Sequence, residues 1–382
     1  MLKKNYAASH SFFKVSSKRF ELSPFVSKYN NKNTVFGISA NRFYPLTTEK
    51  DPTKSYWNLK KKVMIYDVPE KPLEISGVDS VLLLEKIFTR NISDLKKYRA
   101  RYVIACNYNG GVVMDGILIR LAKKKFWFIH ADGNFETWLL AHSSGLKVQI
   151  RDPKSWAIQI QGPNALNVLK KCVPNLELEK FKYFHCKILN FNGEKYLVSR
   201  TGWTGELGFE IYTNGPKDNH LRLWDYIFEK GKNFGIKTAG LDSMGIRRIE
   251  AGILDYGTDM NQSHNPFEVG LEKYVDLSKP FFIGKENLIR INKKSKLFGI
   301  SSKTVVPFSG SEIFLENKIV GKTTVGAFSP YLDQGIGYAF FNQYKNWDKK
   351  NLLIKDEKGR FHECKIIQLP FYDKYKKIPK GL

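Results

Sequence analysis

The sequence predicts an α+β protein built on antiparallel sheets, with a separate all-β region at its C-terminal end. Three observations carry this prediction. A strand–glycine–helix unit occurs twice, each copy is followed by hairpin signals, and from about Lys293 helical periodicity gives way to short strands. Strict alternation of strand and helix, as a parallel doubly wound sheet requires, is absent.

The elements follow in order. Pro72–Gly77 alternates like a strand, and Val78-Asp79-Ser80 opens an apolar-periodic helix through Ile87. Gly116–Leu121 and Phe126–Ile129 flank a Lys-rich turn and read as a hairpin. The second unit starts with Trp156–Gly162, and Pro163-Asn164 begins its helix through Lys171. Its hairpin is Lys187–Phe191 and Lys195–Ser199 around Asn192-Gly193, a pair suited to a tight two-residue turn. Further helices are predicted at Asn134–Gly145, Asn219–Phe234 and Asp242–Ala251. Past the Lys/Asn-rich Ile291–Ser295, strands are predicted at 297–301, 312–315, 318–320, 336–340, 352–354 and 362–367, a barrel or small sandwich. Two regions follow from this, 1–293 with two interleaved α+β subdomains and 294–382.

Composition narrows the class. The 382 residues are 42% hydrophobic and 14% aromatic, enough for real cores and against intrinsic disorder. The longest apolar patches, such as Val81–Leu84, fall far short of the roughly 18 residues of a membrane helix. Cys106, Cys172, Cys186 and Cys364 are widely spaced and form no CxxC, which fits a reducing compartment and a cytoplasmic setting. No metal site is expected: His10, His130, His142, His185, His220 and His362 are scattered and read as surface or satisfied core residues. The segment Met1–Lys28 is Lys- and Ser-rich, a bias shared with transit peptides, but without an apolar core it reads as an ordinary N-terminus. The net charge of +25 comes from lysines spread over the whole chain, such as Lys60-Lys61-Lys62 and Lys123-Lys124-Lys125, and reads mainly as solvated surface.

Phosphate-loop, dinucleotide-binding, GxSxG and HExxH motifs are absent. Three glycine-rich runs stand out instead. Asn107–Asp115 places Gly110-Gly111 before a strand in which Asp115 interrupts an apolar pattern; a carboxylate there is either hydrogen-bonded or used. Ser199–Tyr212 sets Glu206 and Glu210 around Trp203, an aromatic face beside a carboxylate that suits the N–H/NH2 edge of a planar heterocycle. Arg248–Met260 and Asn265–Leu271 form a helix end, a loop with two carboxylates and a Pro-initiated segment.

Together, in this order, the runs resemble the glycine cleavage T-protein (aminomethyltransferase) family. The matching residues are Gly110-Gly111 with Asp115, Arg200–Ile211, Arg248–Gly252 with Tyr256-Gly257 and Asp259-Met260, then Asn265–Leu271, and in the C-terminal region Gly321–Pro330. The resemblance implies a three-domain cloverleaf with two antiparallel-sheet α+β domains and a C-terminal β-barrel, binding tetrahydrofolate centrally. It implies Asp115 as the catalytic aspartate and Glu210 as the glutamate that holds the pterin. Trp203 stands where the family has a ring-contacting tyrosine. Tyr108, Arg248 and Tyr256 are further expected cofactor contacts.

The chain departs from the family at expected pocket positions. Met244 stands where an arginine contacts folate, Met114 precedes Asp115 in place of a second aspartate, and Asp67–Lys71 replaces a DVSHM segment. Lysines or Arg247 nearby are expected to replace that arginine, and positive potential at the channel mouth to attract the folate tail, with or without a polyglutamate extension. These departures weigh against a lipoyl carrier protein as donor. Tyr56–Lys60, Thr89-Arg90-Asn91, Asp115–Leu118 and Lys125-Phe126-Trp127 are similar in kind to folate-dependent demethylases, including dimethylsulfoniopropionate demethylase. The expected function is therefore one-carbon transfer from a small-molecule donor to tetrahydrofolate, with demethylation as the alternative. A role as an RNA-modification or iron–sulfur assembly accessory protein is the alternative of another class; no basic-aromatic stripe supports nucleic-acid binding.

Overall fold

The computed structural model describes residues 19–130, 132–177, 180–348 and 350–382. Most of the basic N-terminal segment, with His10, lies outside these residues. The described chain opens with a hairpin, β1 (Val35–Ser39) and β2 (Arg42–Thr47), closed by Ala40 and Asn41 in the left-handed conformation that a tight hairpin turn requires. Helix α1 (Thr53–Lys61) leads into β3 (Val63–Val68).

The first strand–glycine–helix unit is β4 (Lys71–Ser76) and α2 (Ser80–Ile87), followed by β5 (Ala100–Cys106), β6 (Val112–Ala122), β7 (Lys125–His130), α3 (Phe135–Ala141) and β8 (Gln149–Arg151). The second is β9 (Ala157–Gln161) and α4 (Ala165–Cys172), followed by β10 (Cys186–Phe191), β11 (Glu194–Ser199) and β12 (Gly208–Tyr212). Gly77 and Gly162 occupy equivalent turns at φ of 125° and 124°. A Cβ at either would strike a carbonyl oxygen, 2.2 Å away at Gly77 and 2.6 Å at Gly162, so both turns require glycine. Then come α5 (His220–Gly231), β13 (Ile236–Thr238), α6 (Asp242–Glu250) and α7 (Lys285–Arg290).

The units form a five-stranded sheet, β5-β6-β7-β4-β8, and a six-stranded sheet, β10-β11-β12-β9-β3-β13. They interleave, because β3 precedes the first unit in sequence but pairs with β9 of the second. One pairing departs from the antiparallel expectation: β13 returns through α5 and lies parallel to β3. Strand β3 escaped sequence reading because all six of its residues are buried, which removes the alternation that marks a half-buried strand. Helix α3 stops at Ala141, short of the predicted Gly145; Ser143 Oγ bonds the Leu140 carbonyl and draws the chain into turns. Apolar side chains from both sheets, among them Met64, Tyr66, Ile119, Ile129 and Tyr212, share one core cluster and fix the sheets against each other.

The C-terminal strands are β14 (Leu297–Ser302), β15 (Glu312–Leu315), β16 (Lys318–Ser329), β17 (Gln334–Phe341), β18 (Leu352–Lys355) and β19 (Phe361–Ile367), before the short α8 (Lys377–Lys380). Pairing of β19 with β14 closes them into a barrel, deciding between barrel and sandwich. Ile300, Ile313, Phe341 and Ile354 are fully buried in its core. The barrel docks on α6 through the fully buried Tyr338, whose hydroxyl donates to the carbonyls of Arg248 and Ile249 at 3.0 and 2.9 Å.

Candidate functional site

A cavity of about 1010 Å³ is walled by the β1–β2 hairpin, by strands β6 and β12, by α6 and the loop after it, by β16, and by Lys376 of the C-terminal tail. Asp115, Glu210, Trp203, Arg248 and Tyr256 all line it. Residues far apart in sequence thus converge from both sheets and from α6.

Asp115 sits in β6 opposite Ile104 and is partly buried. Its Oδ2 accepts a hydrogen bond from the Tyr102 hydroxyl at 2.7 Å. Withdrawal from water lifts its pKa to about 7; the Tyr102 bond pulls against this, and the field of Asp255 adds to it. At neutral pH this carboxyl is poised between its two protonation states.

Glu210 lies across from Gln159 and from Ser199 in the six-stranded sheet. Oε1 accepts from Gln159 Nε2 at 3.1 Å, and Oε2 accepts from the hydroxyls of Thr201 (2.8 Å), Ser199 (3.2 Å) and Tyr212. Burial raises its pKa and these hydroxyls oppose the rise. Trp203 projects from the β11–β12 loop with the Arg248 guanidinium 5.2 Å from its ring centroid. Arg248 is not a free cation: buried on α6, it pairs with Asp259 and holds the Ile253 carbonyl, and so braces the wall.

Two expectations are corrected. Tyr108 does not reach the cavity; it sits 61% exposed in the turn before β6, its ring edge-on to His142. Arg247 does not replace the arginine missing at Met244. Arg247 is one helix position from Arg248, and that rotation of about 100° turns it into a buried network with Glu206, Glu250 and Tyr372. Met244 itself is fully buried and lines the cavity. The cations that do line it beside Arg248 are Lys50 and Lys376. Burial, then the charges of Lys273 and Lys380, lowers the pKa of Lys376.

Sequence reading missed several residues. Glu70, Asp132, Asp242 and Asp255 add carboxyl groups to the lining, so the cavity is acidic inside a strongly basic protein. Burial lifts Glu70 to about 8, with Glu210 adding to the effect, and burial lifts Asp242 to about 6. His130, expected to be bland, also lines the cavity; burial pushes its pKa down to about 4, and Nδ1 lies 3.2 Å from the Asp132 carbonyl oxygen. Two of these had left a trace in sequence, Glu70 in the divergent Asp67–Lys71 segment and Asp255 as one of the two carboxylates of the loop after α6. Among the described residues no cluster of His, Cys, Asp or Glu could hold a metal ion, and no helix is long and apolar enough to cross a membrane.

Comparison with known proteins agrees with this architecture. Residues 31–279 match the GCVT N-terminal domain, and residues 295–373 match the glycine cleavage T-protein C-terminal barrel domain. An aminomethyltransferase of Thermotoga neapolitana is 32% identical, over 82% of this chain and 87% of its own. One of Clostridium botulinum is 33% identical, over 87% and 92%. The crystal structure of the glycine cleavage system aminomethyltransferase T from Bartonella henselae superposes with a TM-score of 0.83, covering 93% of this chain and 98% of that one at 22% identity, a likeness of fold.

Proposed function

The chain belongs to the glycine cleavage T-protein family and is an enzyme of that family, and from that premise we propose that it moves a one-carbon unit from a small donor onto tetrahydrofolate held in the central cavity. The carrying observation is the convergence of Asp115 from one glycine-rich run with Trp203 and Glu210 from another, more than eighty residues away, on one cavity. Tetrahydrofolate, when bound, supplies the ring amine that accepts the carbon.

The residues present suit such a ligand. Trp203 offers an indole face for a planar ring. Glu210 offers Oε1, which has a single internal donor, to an N–H edge. Near them, Glu70 Oε2 and Gln159 Oε1 are buried acceptors without a partner, which a ligand rich in N–H groups would satisfy. Lys376, with Lys273 and Lys380 close by, suits the carboxylates of a glutamate or polyglutamate tail.

Asp115 acts on the proton. Tyr102 holds one of its oxygens in place, and the other takes a proton from an amine or returns one. Its pKa near 7 serves both directions at neutral pH. A ligand that fills the cavity would displace the water beside Asp115, which strengthens each of these interactions.

Relatives named aminomethyltransferase favour an aminomethyl donor. The acidic lining favours a donor with a positive charge, such as a protonated amine or a methylated onium compound, and this keeps demethylation as the second reading. The test is a donor panel (aminomethyl-lipoyl protein, dimethylglycine, dimethylsulfoniopropionate, aryl methyl ethers) assayed for 5-methyl- or 5,10-methylene-tetrahydrofolate, with wild type and Asp115→Asn. The variant should lose at least about 100-fold in turnover and keep its folate affinity. Unchanged turnover would remove Asp115 from the mechanism.

A further inference from the structure

We propose that Glu70 is a specificity-determining residue that, with Gln159 and Glu210, reads the N–H-bearing rim of the pterin. The inference rests on the folate reading above and extends it to a residue outside the matching family motifs.

The six-stranded sheet aligns Tyr66, Gln159, Glu210 and Ser199 in one cross-strand row. Glu70 lies just past the end of β3, where its side chain reaches Gln159 of this row, and lines the cavity. Gln159 Nε2 donates to Glu70 Oε1 and to Glu210 Oε1, each at 3.1 Å. Both of its N–H groups are then spent. With Glu70 ionised, the form that the N–H donors of a bound ligand favour, what remains is an edge of acceptors: Glu70 Oε2 and Gln159 Oε1 have no donor among the described residues.

The neighbouring cations are engaged elsewhere. Arg42 Nη1 donates to the Glu70 main-chain carbonyl at 3.1 Å, and the Lys71 ammonium pairs with Asp152 at 3.0 Å. Buried acceptors without donors are unfavourable in a finished protein and fit a site that a ligand completes. A tetrahydropterin carries its 2-amino group, N3–H and N8–H along one rim, donors for such an edge.

The shared amide also makes the test directional. Gln159 must keep Nε2 toward the Glu210 carboxylate. A glutamine at position 70 must then turn its own carbonyl toward Nε2, and its NH2 faces the ligand. Glu70→Gln therefore changes an acceptor into a donor at nearly constant shape.

The experiment is calorimetric titration of the full chain with tetrahydrofolate and with its 2-desamino analogue, for wild type, Glu70→Gln and Glu70→Asp, with unfolding midpoints recorded for each. Glu70→Gln should weaken tetrahydrofolate by roughly 10- to 100-fold and the analogue by much less, and Glu70→Asp, which keeps the acceptor, should recover part of the loss. Equal affinity in wild type and Glu70→Gln would overturn the proposal. So would an equal loss for both ligands, which would mark a purely structural role. A wild-type protein that binds no tetrahydrofolate at all would instead overturn the folate reading itself.

Discussion

Replacing Asp115 by asparagine should make the protein more stable above neutral pH, even as it lowers turnover. Raising a carboxyl from 3.8 to about 7 costs about 4 kcal/mol at roughly 1.4 kcal/mol per tenfold change in proton affinity. Between these values the folded protein holds a proton that the unfolded chain has released. Stability therefore falls as pH climbs from about 4 to about 7, and the whole loss is present above that range. Asparagine has no charge to desolvate, and its carbonyl can still accept from Tyr102. Because the carboxyl opens on a cavity that water enters, about 1–4 kcal/mol of the penalty should be recovered. Urea unfolding of wild type and Asp115→Asn near pH 4 and at pH 8 reads this directly, since every other titrating group is common to both proteins. The variant should gain at pH 8 and not at pH 4. A variant that is no more stable than wild type at pH 8 would refute the claim that Asp115 is held in an environment hostile to its charge.

Three further outcomes follow from the same geometry. Glu210→Gln puts an amide among the hydroxyls of Ser199, Thr201 and Tyr212, and should lower unfolding free energy by roughly 2–3 kcal/mol as well as weaken folate binding. Arg248→Met strands Asp259 as a buried unpaired carboxylate; urea unfolding should show a loss of about 3–5 kcal/mol, partly restored by adding Asp259→Asn. Lys376→Ala should weaken a triglutamyl folate several-fold more than the monoglutamate, a difference that calorimetry should find fading at high salt as screening removes the attraction.

Much of the fold is local and could be read without coordinates. Gly77 and Gly162 mark their turns because no other residue tolerates that backbone against a carbonyl oxygen. Asn192-Gly193 marks its hairpin for a related reason, and each barrel strand leaves a short run between turn residues, although only 318–320 of the twelve-residue β16 reads as strand in sequence. Strand β3 and its parallel partner β13 could not be read this way. Burial on both faces erases alternation in β3, and the pairing depends on a segment that returns more than a hundred residues later.

The site divides along the same line. Asp115 and Trp203 stand out in glycine-rich runs, as a carboxylate in an apolar strand pattern and as an aromatic face. Those runs by themselves also fit structural loops, and the expected roles of Asp115 and Glu210 came from the family resemblance. Tyr108 stands in such a run too, yet it points away from the cavity, because spacing says nothing of side-chain direction in a turn. Arg247 and Arg248 show the same limit on a helix, where one position of rotation separates a wall of the cavity from a buried network outside it.

The charge shows most plainly what belongs to each level. Composition settles that the protein is strongly basic, since charge is a sum over residues. The acidic interior follows from which carboxylates the two sheets, α6 and the loops beside them turn inward, while most lysines lie outside the cavity. Local chemistry determined the turns and most of the barrel strands. Only long-range pairing brought Glu70, Gln159 and Glu210 onto one edge, because contacts between distant segments leave no periodic trace in the chain that makes them.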